Sequence, residues 1–79
     1  MKLRKLANNV TVIETDAKSI LISYETPVAV LYHGNGKYVK TEKKWSATTS
    51  KHINAWLGGA EAKLEPQSYF DDILNTANL

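Results

Sequence analysis

The sequence predicts an α+β domain, a small antiparallel meander of four or five strands with two short C-terminal helices packed on one face. Three observations carry that reading. Short β-branched apolar runs fill residues 10–41. The dipeptide Asn35-Gly36 between two such runs is a strong hairpin signal. After Thr48 the apolar spacing changes to a helical period.

In chain order, Val10-Thr11-Val12-Ile13-Glu14 and Ser19-Ile20-Leu21-Ile22-Ser23-Tyr24 form a hairpin across the polar tetrad Thr15-Asp16-Ala17-Lys18. Pro27-Val28-Ala29-Val30-Leu31-Tyr32 opens with a proline, which fixes φ at a strand entrance, and ends at His33-Gly34-Asn35-Gly36. A type I′ turn at Asn35-Gly36 sends the chain back as Lys37-Tyr38-Val39-Lys40-Thr41, with Tyr38 and Lys40 on one face and Lys37, Val39 and Thr41 on the other. Lys43-Lys44-Trp45-Ser46 extends this strand or forms a fifth.

Thr48, Thr49 and Ser50 offer N-caps for a helix carrying Ile53, Trp56 and Leu57, which Gly58-Gly59 stops. Ala60 to Leu64 is a connector with room for a brief strand. Glu65-Pro66 opens a second helix with proline at its first position, its apolar stripe Phe70, Ile73, Leu74 and Ala77 opposite Asp71, Asp72 and Asn75. Helices of about ten residues are marginal alone, so both must dock on the sheet. The expected core is Val12, Ile20, Ile22, Val28, Val30, Trp45, Ile53, Trp56, Leu57, Phe70, Ile73 and Leu74.

Composition narrows the function. Seventy-nine residues make a single domain, 1–79, that buries only about 63% of its open-chain surface. With no cysteine, neither disulfides nor thiolate metal sites can staple it. No run approaches the roughly 18 apolar residues of a membrane span, and the N-terminal stretch lacks the apolar core of a signal peptide. The expectation is an intracellular protein with no membrane partner. His33 and His52 have neither the spacing nor the neighbours of a metal site, so no metal or other cofactor is expected. No serine stands in the strand–elbow–helix context of a nucleophile, and adjacent Asp71 and Asp72 diverge by roughly 100° around a helix. The chain therefore reads as not an enzyme, with no catalytic residue assigned.

Charge is unevenly spread. Residues 1–52 carry nine Lys/Arg against four Asp/Glu, and residues 53–79 carry one against four. The basic excess is densest between Lys37 and His52, where Lys37, Lys40, Lys43, Lys44 and Lys51 alternate with Tyr38 and Trp45 and lead into the helix start. Ammonium groups neutralise phosphates, flat rings stack on bases, and free N–H groups at Thr49, Ser50, Lys51 and His52 hold anions. These residues form the candidate nucleic-acid face. They also read as a solvated lysine pair, a core tryptophan and capping hydroxyls. If Lys40, Lys43, Lys44 and Lys51 each met a duplex phosphate, the log-log salt slope would be about −3.6. The hydroxyls of Tyr24-Glu25-Thr26-Pro27 either finish two strands or face a ligand beside Lys51 and His52.

Ser23-Tyr24-Glu25-Thr26-Pro27-Val28-Ala29 followed by Trp45-Ser46-Ala47-Thr48-Thr49-Ser50-Lys51-His52-Ile53-Asn54 resembles a family of very short, largely uncharacterised bacteriophage proteins, over residues 19–57. The resemblance implies a phage gene product at work in the cytoplasm of an infected bacterium. It carries over no activity, cofactor or binding residue. Small phage proteins often act by binding. The sequence thus predicts a non-enzymatic module contacting nucleic-acid phosphates through the basic hairpin and helix start. The alternative is an inhibitor or modulator of a host or bacterial defence protein. An uncovered outer strand would also allow pairing with a second copy as a homodimer.

Overall fold

Central strands that are apolar on both sides require cover on both sides, and this organises the protein. The computed structural model describes residues 2–74. Strands β1 (Lys2–Ala7), β2 (Val10–Glu14), β3 (Lys18–Ser23), β4 (Thr26–Tyr32) and β5 (Lys37–Thr41) are followed by helix α1 (Ala47–Leu57), strand β6 (Ala62–Glu65) and helix α2 (Gln67–Ile73). They build one sheet in the order β1-β2-β3-β4-β5-β6, antiparallel up to β5. The last pair, β5 and β6, is parallel, with Lys40 opposite Leu64, because α1 crosses over between them.

The α+β class and its meander are as the sequence predicts, with six strands rather than four or five. β1 is the addition at one edge: Lys2-Leu3-Arg4-Lys5-Leu6-Ala7 has no two-residue alternation, all six residues are exposed, and pairing to β2 alone makes it a strand. β6 is the brief strand anticipated after Ala60. Lys43–Ser46 forms no strand and instead carries the chain from β5 to α1.

The helices lie on opposite faces, not together. Ile53 and Leu57 of α1 pack with Val10, Val12, Leu21, Val28 and Ala29, while half-buried Tyr38 and Trp56 flank them. Phe70 and Ile73 of α2 pack with Ile20, Val30 and Val39, with Ile13, Ile22 and Leu74 at the margin. Leu21 and Ile20 are neighbours on β3, so their side chains point to opposite faces. The cause is visible in the sequence: Ile20-Leu21-Ile22 and Val28-Ala29-Val30 are continuous apolar runs, the pattern of strands covered twice. Of the expected core, Trp45 is exposed, and Ile22, Trp56 and Leu74 are half-buried. Val10, Leu21, Ala29 and Val39 complete it.

Two turns place the site. Ser46, not Thr48, Thr49 or Ser50, caps α1: its Oγ accepts from the Thr49 N–H at 3.2 Å, and its carbonyl from the Ser50 N–H at 3.1 Å. At the other end Gly58, at φ 60°, donates its N–H to the Asn54 carbonyl. The two-residue link Tyr24-Glu25 joins β3 to β4 with Tyr24 at φ 58°, a left-handed conformation that is unfavourable for a residue with a Cβ. The Tyr24 N–H donates to the Asn9 carbonyl at 2.6 Å, which ties this turn to the neighbouring one. The Asn35-Gly36 turn is a four-residue loop rather than type I′. Only Gly36 there has positive φ, and its N–H donates to the Tyr32 carbonyl. Pro66 is the N-cap of α2 rather than its first residue, so the helix begins at Gln67, one residue later than expected. Asn75 and Ala77 of the expected helix lie outside the described residues.

Candidate functional site

The two segments that carry the phage resemblance meet in space. Ser23 ends β3 with its side chain toward α1, and α1 presents Thr49 and His52 one turn apart. The Ser23 Oγ lies 3.1 Å from the Thr49 Oγ1 and 2.9 Å from the His52 Nδ1, and the Ser46 Oγ donates to the Thr49 Oγ1 at 3.4 Å. Ser23 and Thr49 are buried, so these bonds replace the water that both hydroxyls have lost. The Tyr24 ring lies 6.0 Å from the His52 ring, tilted by 43°. Above the cluster opens a cleft of about 240 Å³, with Tyr24, Trp45 and Val28 among its walls and the hydroxyls of Thr26 and Ser46 at its side.

A second hollow, a groove of about 330 Å³, lies between β5, the link to α1, α1 and β6. Lys40, Lys43 and Lys44 line it with Ser50 and Asn54, over an apolar base of Ile53 and Leu64, and Glu42 is its only carboxylate. Lys40 reaches this side because it pairs with Ala29, on the α1 face. The Lys43 ammonium also sits over the Trp45 ring, 4.1 Å from the centroid. Trp45 borders the cleft and Lys43 the groove, so this cation–π pair separates the two hollows.

Trp45 is held from the opposite face of the sheet. Its indole N–H donates to the Gln67 Oε1 at 3.1 Å, and the Thr41 hydroxyl donates to the same oxygen at 2.9 Å. Gln67 Nε2 donates to the Pro27 carbonyl at 2.8 Å and to the Asp71 Oδ1 at 3.2 Å. Both ends of the amide are engaged, which fixes its orientation and, through it, the tryptophan.

The sequence-derived residues therefore divide. Lys40, Lys43, Lys44 and Ser50 converge on the groove, with Trp45 at its border. Thr49 and His52 belong to the Ser23 cluster. Tyr38 packs edge-on against Trp56 with centroids 5.4 Å apart and is not free to stack on a ligand. Lys37 lines a separate hollow with Glu61 and Lys63, and Lys51 is exposed on α1 outside the groove. The amides from Thr49 to His52 are not free, because a helix starting at Ala47 commits them to Ser46 and to its own first turn. Asn54 and Leu64 were not anticipated. Asn54 follows Ser50 at helical i, i+4 spacing, a signal present in the sequence, whereas Leu64 arrives only through the parallel pairing of β6.

Two polar contacts lie elsewhere. Buried Ser19 meets the His33 Nε2 at 2.7 Å, and the His33 Nδ1 lies 3.3 Å from the Asp16 carbonyl, which fastens two turns together. On the α2 face the hydroxyls of Tyr32 and Tyr69 bond each other. Desolvation, with that bond and the nearby Tyr32 and Glu65, pushes the Tyr69 phenol well above its ordinary value. Neither Ser–His pair has a carboxylate as its hydrogen-bond partner, and no three His, Cys, Asp or Glu side chains cluster among the described residues. No helix among them is long and apolar enough to cross a membrane.

Among curated proteins and among solved structures, nothing matches the chain. Residues 1–72 do match a family, a span that takes in both hollows, and the chain belongs to it: the family of unknown function DUF8033.

Proposed function

We propose that this is a small phage-encoded, non-enzymatic binding protein that holds nucleic-acid phosphates in the groove beside β5, in the cytoplasm of an infected bacterium. The observation that carries the reading is the convergence of Lys40, Lys43 and Lys44 on one open groove with the polar ends of Ser50 and Asn54 and a single opposing carboxylate. Grouped ammonium ions release the counterions condensed on a phosphate backbone, while a hydroxyl and an amide add directional bonds. The phage assignment rests on the resemblance of the two segments that build the cleft. Anisotropy titrations of labelled duplex and single-stranded oligonucleotides at low salt test the proposal. Binding that weakens uniformly across sequences on Lys44→Ala supports it, and no binding to either form overturns it.

A second reading, a protein partner, is favoured by β1. This open edge exposes Leu3 (68%) and Leu6 (46%) beside Lys2 and Lys5, with Arg4 paired to Glu14 at 2.9 Å, and an extended acidic segment could add there as a seventh strand. A second copy fits less well, since antiparallel self-pairing centred on Arg4 sets like charges together. A protein captured from nuclease-treated host lysate by the wild type but not by Leu3→Asp/Leu6→Asp would support this reading, and equal capture by both would oppose it.

A further inference from the structure

We infer that the cleft between Tyr24 and Trp45 receives one unpaired nucleobase, so that the partner is single-stranded; the inference rests on the phosphate reading of the adjacent groove. Tyr24 and Trp45 are the large aromatic side chains left most open, at 49% and 36% exposure, and both line the same cleft. Each is held there against an easier alternative. Tyr24 occupies a left-handed backbone position that glycine would take without strain, in the turn where its ring borders the cleft. Trp45 is pinned by its indole N–H to Gln67, which leaves its ring at the cleft wall.

The walls suit a base. Tyr24 and Trp45 give exposed flat ring surfaces over the buried Val28, and Thr26, which also lines the cleft, has a hydroxyl that makes no hydrogen bond among the described residues, leaving it for a base edge. The neighbourhood suits a nucleotide chain. Lys43 joins the two hollows, since it lines the lysine groove and its ammonium lies over the ring of Trp45, which borders the cleft. A base in the cleft thereby has its own or the next phosphate within reach of the lysines. A base stacked inside a duplex cannot enter such a cleft without being flipped out.

The test uses single-stranded, duplex and fully abasic oligonucleotides of equal length with the full chain. Glycine accepts the positive φ at position 24, so Tyr24→Gly removes the ring without endangering the fold. Base–aromatic stacking of about 1–3 kcal/mol corresponds to roughly 5- to 150-fold in affinity. The single strand should bind tighter than the abasic strand by that factor, and Tyr24→Gly should lower the first toward the second while leaving the abasic strand unaffected. In a Trp56→Phe background, leaving Trp45 as the one tryptophan, base-containing strands should quench the fluorescence and abasic strands should not. Equal binding of abasic and normal strands, with salt-sensitive affinity intact, would overturn the base cleft and keep the phosphate groove. Failure of all three at low salt would remove the groove as well.

Discussion

The two faces of the sheet are covered by helices of 11 and 7 residues, α1 and α2, that differ in character. Under α2 lies a dense apolar contact of Phe70, Ile73, Ile20, Val30 and Val39. Under α1 the apolar contact of Ile53 and Leu57 gives way at one end to buried hydroxyls, a histidine, a left-handed tyrosine and an open cleft. A chain this small has little stability to spare. Both faces carry a buried apolar cluster, but the α2 face holds the one buried aromatic ring among the described residues, Phe70, while the α1 face adds polar groups and strain to its own cluster. Gln67 joins the two by reaching from α2 to hold Trp45.

The sharpest way to break this division is Phe70→Ala. Truncating a fully buried ring removes about 3–5 kcal/mol, a large share of what such a domain has, and urea unfolding should show the midpoint collapse. On the α1 face, Ser23→Ala leaves Thr49 and His52 short of a partner and should cost about 1–3 kcal/mol in the same assay. If Ser23→Ala proved as damaging as Phe70→Ala, the polar cluster would be a principal support of the fold and the contrast would fail. Tyr24→Gly should act in the opposite sense, raising stability by up to about 1 kcal/mol as left-handed strain is relieved, while base binding falls.

The smallest expected effect is a pH dependence confined to the α2 face. Tyr69 has its phenol pKa raised in the folded state, chiefly by burial and then by Tyr32. The unfolded chain therefore loses this proton first, near the ordinary tyrosine value of about 10, and stability falls as pH climbs above that point. Below it the group is neutral in both states and the contribution is complete. Tyr69→Phe should flatten the alkaline limb of a Tm-against-pH curve, whereas Ser23→Ala should leave that limb unchanged.

Sequence alone was informative where local chemistry decides the outcome. The four central strands, the Gly58 stop and both helices followed from periodicity and turn residues. What stayed hidden depended on partners distant in the chain. β1 is a strand only because β2 bonds to it, so its own alternation is absent. The opposite placement of the helices was encoded in the unbroken runs at Ile20–Ile22 and Val28–Val30, the pattern of strands covered on both sides, but which helix covers which face was not. The lysine segment had the right composition but too many members. Strand alternation keeps Lys40 on the α1 side, the loop brings Lys43 and Lys44 beside it, and Lys37 and Lys51 fall outside the groove. Ser46 outcompeted three later hydroxyls as the cap, which turned the expected anion-binding amides into ordinary helix bonds.

The most direct measurement is the salt dependence of oligonucleotide affinity for the wild type and for Lys40→Ala/Lys43→Ala/Lys44→Ala. Three lysines on three phosphates give a log-log slope of about −2.7 on duplex and about −2.1 on single strands. The account predicts those slopes for the wild type and a slope close to zero for the triple variant. The same slope in both proteins would contradict it.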